Sequence, residues 1–153
     1  MPAFSKKSLG MLQQCHPDIQ KVMTEAIKII DFSVTEGART IEKQREYYKA
    51  GKSKTMNSKH LPKYCNEFGK EYSFAIDIVP YPVNYNDRER FCVLAGIVLG
   101  MAKVMKDRGI IKSDIRWGGD WNRNNITKDE SFSDMPHFEI LWNFINLLKV
   151  LLI

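Results

Sequence analysis

Three histidines occur in the chain, His16, His60 and His137, and this scarcity limits the metal sites that can be drawn. Zinc in a hydrolase takes three protein ligands from His and Asp/Glu and leaves a fourth position for water. His60, Asp77 and His137 make such a set. Asp77 interrupts the apolar run Phe74-Ala-Ile-Asp-Ile-Val79, and an unpaired carboxylate in a buried strand is costly or shifts its pKa. A metal ion is a partner that would neutralise it. Asp134 lies three residues before His137, where the chain can curl to face the metal's open position. A carboxylate there can take a proton from water and deliver it to a leaving amine. His16 precedes Pro17 at a helix start and reads as a surface residue of the cap region.

The elements that must position these residues follow from periodicity. Ile19, Val22, Met23, Ala26, Ile27 and Ile30 fall at helical spacing. Phe32 to Thr35 reads as a strand leading into Glu36-Gly37. Residues 41–50 read as a helix stopped by Gly51. The stretch 51–72 is polar and turn-rich, and 74–79 is a buried strand. Asp87 can cap a long helix to about Arg108, ended by Gly109. Its segment 91–102 is apolar on nearly every face and predicts a central core helix. Further short strands are expected at 115–118 and 137–140, where Pro136 sets an extended entry. Helices first and strands interleaved later give an α+β fold, with a small, mainly antiparallel sheet and flanking helices.

At 153 residues one domain is expected, 1–140, with an apolar tail at 141–153. That tail is short of the roughly 20 residues of a spanning helix. It reads as a docked terminal helix or as an interfacial one in transient membrane contact. A composition 44% apolar and 27% charged is that of a globular protein and excludes a disordered one. The net charge of +5 favours an anionic partner, nucleic acid or an acidic wall polymer. The N-terminal stretch MPAFSKKSLGMLQQ has no apolar signal core. Cys15, Cys65 and Cys92 lack paired spacing, which suits a reducing cytoplasm.

Taken together, Ser58-x-His60, Ala75-x-Asp77 and Asp134-x-x-His137-Phe-Glu139 resemble the zinc D,D- and L,D-peptidases related to the VanY and VanX carboxypeptidases. The branch most similar is that of phage endolysins acting as L-alanyl-D-glutamate endopeptidases. Gly37-Ala-Arg39-Thr40 followed by Gln44, and Trp117-Gly-Gly-Asp-Trp121, are similar to two further family elements, and the matches run in family order from 37 to 139. The resemblance implies a hedgehog/D,D-peptidase-like fold, with zinc on His60, Asp77 and His137 and Asp134 as general base. It implies Arg39 and Ser58 on the substrate side, with Arg39 polarising a carbonyl or holding a carboxylate. It also implies a monomer acting on peptidoglycan rather than nucleic acid, held in the host cytoplasm and released to the wall through a holin. One departure stands out: His60 and Asp77 are seventeen residues apart, wider than in the family. Ser73 replaces a family Gly, and 61–72 reads as an inserted loop, tolerable if its ends stay fixed.

Asp120, Asn122 and Asn124, with a backbone carbonyl at Ile126, mimic the first half of a calcium loop. Asp129 and Glu130 could complete it, although no Gly marks the turn. A polar surface loop is the plain alternative. Three other functions remain open on sequence: a D,D-carboxypeptidase, an amidase that recruits His16 or a cysteine as ligand, and a non-catalytic wall-binding domain.

Overall fold

The computed structural model describes residues 1–141. Along them run α1 (Lys6–Leu12), α2 (Pro17–Ala26), β1 (Phe32–Glu36), α3 (Ile41–Lys49), β2 (Lys63–Cys65), β3 (Lys70–Tyr72), β4 (Ala75–Pro80), α4 (Arg88–Asp107), β5 (Asp114–Trp117) and β6 (His137–Leu141). β1, β4, β6 and β5 form one sheet in that order, antiparallel at each pairing. The expected α+β class with a small antiparallel sheet is the fold adopted. The apolar tail beyond Leu141 lies outside the described residues.

Alternation along the strands sorts the sheet into two faces. Ile76, Ile78, Ile115, Trp117, Phe138 and Ile140 are buried in the core with α2 and α4. Asp77, His137, Glu139 and Arg116 alternate with them and face the other way. Register brings these polar residues together: Asp77 pairs with His137, and Arg116 with Glu139. In β1 a bulge follows Val34, so that Glu36, not Thr35 alone, sits opposite Asp77. Strict alternation would have aligned Glu36 with Phe32 and Val34 on the core face. The extra residue turns it to the polar face.

Helix ends follow local chemistry. Thr40 caps α3 by accepting from Lys43 N, and Asp87 caps α4 by accepting from Arg90 N. Gly51 and Gly109 take φ of 70° just past the two helices, the left-handed conformation a glycine reaches without strain. α4 buries a stripe at 91, 94, 95, 98, 102 and 105, whereas Val93 and Val104 face solvent. It is a one-faced core helix, because α2 and the sheet together cover a single side of it.

Three expectations are corrected. α1, unforeseen, packs on β1, where Ser8 Oγ accepts from Val34 N at 3.2 Å. The turn-rich 61–72 contains the hairpin β2–β3, whose closing Gly69 has φ of 62°. The hairpin's ends are fixed, since Phe74 N donates to Lys59 O at 2.9 Å. His16 caps α2, its Nδ1 accepting from Asp18 N at 3.1 Å, but it is buried, not a surface residue. Phe68 of the hairpin and Phe74 pack on its ring and shut out water.

Candidate metal centre and active site

His60, Asp77 and His137 come together on the polar face of the sheet. His60 Nε2, Asp77 Oδ1 and His137 Nδ1 form a triangle 3.1 Å on each side. Among the described residues this is the one group of three or more His, Cys, Asp or Glu side chains placed to hold a metal ion. With ligand bonds of about 2.0–2.1 Å, donors around a tetrahedral zinc stand roughly 3.3 Å apart, so the triangle has nearly the required size.

The outer nitrogens decide which atoms point inward. His60 Nδ1 is 2.8 Å from Gly37 O; a carbonyl only accepts, so Nδ1 carries the proton and Nε2 presents its lone pair. His137 Nε2 is 3.1 Å from Glu139 Oε2, which leaves His137 Nδ1 as the free donor atom. Three lone pairs thus face one another. Burial opposes charge on His137, yet the Asp77 and Glu139 carboxylates outweigh it and raise the imidazole to about 9. Burial would likewise raise Asp77, but the two imidazoles hold it well below the usual carboxylate range. The donor set fits a divalent metal with nitrogen and oxygen ligands.

Gly37 is required for this arrangement. A Cβ there would lie 2.3 Å from Met11 O, so α1 reaches His60 through the backbone of the Gly-Ala-Arg turn. Ser73, in place of the family glycine, is fully buried. Its Oγ donates to Ala75 O at 2.6 Å, which ties the hairpin's exit to β4. Ser58 Oγ accepts from His60 N at 3.2 Å.

Asp134 lines the same cleft of 640 Å³ as the three ligand candidates. Asp134 N donates to Gly118 O at 2.8 Å, and Gly118 N donates to His137 O at 2.7 Å. Trp117 Nε1 donates to Met135 O at 2.7 Å. The Trp-Gly-Gly segment therefore fixes the turn that carries Asp134. A Cβ on Gly118 would meet Asp134 O at 2.5 Å, so the approach needs a glycine. Burial, with Asp77 adding to it, pushes the Asp134 carboxyl above its ordinary value, in the direction useful for holding a proton.

Arg39 lines the cleft from the other side and is largely engaged. Its terminal nitrogens donate to Gln44 Oε1 at 2.7 Å and to Glu36, and Tyr47 lies beneath the guanidinium at 4.7 Å. Glu36 also pairs with Lys43 at 2.7 Å. Glu139 is bound by Lys59 at 3.2 Å and by Arg116. Burial opposes its charge, but His137, Lys59 and Arg116 bring its pKa down to about 2. Sequence reasoning passed over Glu36, Lys59, Arg116 and Trp121 as contributors. Glu36 had a signal: a carboxylate in phase with Phe32 and Val34 contradicts a regular strand. Three buried nitrogens, Arg39 Nε, Arg116 Nε and Trp121 Nε1, have no partner among the described residues. Such a group costs about 1–3 kcal/mol.

The hairpin 63–72 contributes no residue to the cleft. In the 120–126 loop, Asp120 accepts from Asn124 N and Asn125 N at 3.1 and 3.0 Å. Asn122 and Asn124 accept from Asn124 N and Ile126 N at 3.0 and 2.8 Å. The side-chain oxygens proposed for calcium thus hold the loop's own amides.

A sheet that sets an imidazole and a carboxylate against a loop imidazole, beside a half-buried acid, has the make-up of a metallohydrolase centre. The chain belongs to the phage L-alanyl-D-glutamate peptidase family, which matches residues 2–141. It is similar to the L-alanyl-D-glutamate peptidase of Escherichia phage T5, 28% identical over 135 residues covering 83% of this chain and 87% of that protein. It is 30% identical over 132 residues to the peptidoglycan L-alanyl-D-glutamate endopeptidase CwlK of Bacillus subtilis (strain 168), covering 77% of this chain and 65% of that one. Among solved structures it is similar to the L-Ala D-Glu endopeptidase ChiX of Serratia marcescens, with a TM-score of 0.68 and 30% identity over 94% and 92% of the two chains.

Proposed function

We propose that the chain is a zinc-dependent endopeptidase cutting the L-alanyl–D-glutamate bond in the peptide stem of bacterial peptidoglycan, serving as a phage endolysin. The observation that carries this reading is the inward convergence of His60 Nε2, Asp77 Oδ1 and His137 Nδ1 at 3.1 Å, in a chain of this family. Bound there, zinc supplies a Lewis acid for the amide carbonyl and acidifies water near neutral pH.

The chain's own residues supply the rest. Asp134 takes the proton released by the attacking water and passes it to the leaving amine, work suited to a carboxyl whose proton affinity burial has raised. Arg39 is oriented by Glu36 and Gln44, so its charge stays fixed over the cleft, where it can stabilise a substrate oxygen. Ser58 holds the His60 backbone and closes the wall beside it. Lys59 and Arg116 keep Glu139 ionised, and Glu139 keeps the His137 tautomer.

The amidase alternative needs His16 or a cysteine as ligand. His16 Nε2 and Cys65 Sγ are 3.8 Å apart, but neither residue lines the cleft nor joins a metal-holding group. A calcium ion in the 120–126 loop would have to share the Asp120, Asn122 and Asn124 oxygens with the amides they already accept. Titration of calcium into the zinc-loaded protein, with Asp120→Ala as control, tests that site. Among the described residues no helix is long and apolar enough to cross a membrane; passage to the wall by a holin belongs to the endolysin reading. A monomer needs no second chain to complete the cleft.

Mass spectrometry of digested peptidoglycan tests the bond cut. New amino-terminal glutamate is expected. Release of terminal D-alanine would point to a D,D-carboxypeptidase, release of whole stems from the glycan to an amidase, and no release to a wall-binding domain.

A further inference from the structure

Among the described residues, Arg39 Nε, Arg116 Nε and Trp121 Nε1 are the buried side-chain nitrogens or oxygens without a partner, and all three residues line the catalytic cleft. Each is an N–H donor and none is an acceptor. Folded proteins rarely leave such groups unpaired, and a ligand is one resolution. Arg39 has its place in the mechanism; Trp121 has none, and Arg116 is used there only through its Nη2 on Glu139.

These two side chains form a unit on the β5–β6 side of the metal triangle. The Arg116 guanidinium lies 4.9 Å over the Trp121 ring, and its Nη1 donates to Trp121 O at 3.4 Å. Its Nη2 donates to Glu139. Both terminal nitrogens are thus used, and Nε is left over beside an indole with an unused N–H. The Trp121 ring is 5.5 Å from the His137 ring, so the unit borders a ligand candidate directly. The carboxylates nearby are committed, Glu139 to Arg116, Lys59 and His137, and Asp77 to the imidazoles. Six Lys and Arg residues line the cleft against four Asp and Glu. A ligand that brings acceptors and negative charge is what this wall lacks.

We propose that Arg116 Nε and Trp121 Nε1 form a carboxylate subsite for the free carboxylate of the glutamyl residue on the leaving side of the scissile bond. This rests on the endopeptidase reading above. A glutamate within a peptide stem has one more carboxyl than its chain bonds consume. The residue after the cut therefore brings an anion within a few bonds of the reacting carbonyl. Two N–H donors, one of them charged, complement a carboxylate. A carboxamide in its place forfeits the charge and turns an NH₂ towards donors, and a site built on buried donors discriminates steeply against such a group.

The test uses zinc-loaded protein and two dipeptides that differ in one group, γ-D-glutamyl-L-lysine and its α-carboxamide counterpart, titrated by calorimetry. The acid is expected to bind at least about tenfold more tightly than the amide, the scale of a hydrogen bond to a charged group. Trp121→Phe keeps the ring and removes the N–H. Arg116→Lys keeps a cation for Glu139 and removes Nε. In each the acid-to-amide ratio should fall towards one while zinc content stays at one per chain. Either variant alone decides, so a loss of fold in one leaves the other to report. A wild-type ratio near one, or variants that retain the wild-type ratio, overturns the subsite. Hydrolysis of purified peptidoglycan is followed separately. An intact acid preference without new amino-terminal glutamate overturns the endopeptidase reading and leaves the carboxylate subsite standing.

Discussion

Glu139 Oε2 lies 3.1 Å from His137 Nε2, two residues along the same strand, and so fixes His137 with Nδ1 facing Asp77 and His60. Partners of this kind orient a ligand and raise its basicity, and their loss typically costs about 10–100-fold in metal affinity. Glu139→Gln is therefore expected to weaken zinc binding by about that factor, measured by competition with a chromogenic chelator. An unchanged affinity would mean that strand geometry alone orients His137.

The ligand set predicts a sharp division among the histidine variants. His60→Ala, Asp77→Ala and His137→Ala should each lose zinc and activity, read by elemental analysis and wall hydrolysis. His16→Ala should keep zinc. Because His16 caps α2 from a buried position, that variant should instead lose about 0.5–2 kcal/mol of stability, seen as a lower thermal midpoint. Zinc retained by Asp77→Ala would remove Asp77 from the set.

Asp134→Asn leaves a side chain of the same shape that cannot shuttle a proton. Zinc content and fold should persist while turnover falls about 10²–10⁴-fold. Near-normal rates would transfer the role to another carboxylate of the cleft.

Gly118→Ala tests whether the Trp-Gly-Gly segment positions that acid. Its Cβ would meet the Asp134 carbonyl oxygen at 2.5 Å, a backbone atom that cannot swing aside. Turnover should fall more than zinc affinity does, since the displaced group is the proposed proton carrier. Equal losses in both would show that His137 moves with Asp134.

The cysteines should separate by reactivity. Burial, reinforced by Asp77, pushes the Cys15 thiol up to about 12, whereas Cys65 and Cys92 are half-buried. At about pH 8.5, where an ordinary thiol is half ionised, alkylation should mark Cys65 and Cys92 and spare Cys15 until the chain unfolds. Peptide mapping reads the result, and early labelling of Cys15 would show that the α1–α2 link opens away from Ala75 in the native state.

Much of this site was legible because the chemistry is local in type. Three histidines and one carboxylate in an apolar run restricted the candidate ligands before any contact was known. Asp87, Gly51 and Gly109 marked the start of α4 and the ends of both helices through hydrogen bonds and φ preferences within a few residues. The period of two in His137-Phe138-Glu139 put the imidazole and its carboxylate on one face. What sequence could not supply was register. Alternation says which residues share a face but not which strand lies across, so the pairing of Asp77 with His137 waited for the sheet. The bulge after Val34 brought Glu36 to Arg39 against its own periodicity. The Gly37 carbonyl found His60 only when α1 closed over the turn. The burial of His16 required a hairpin more than fifty residues away in the chain. Residue type is written in the sequence, whereas the pairing of groups distant along the chain is selected by burying the shared core, an energy that belongs to the assembled sheet and helices and to no single segment.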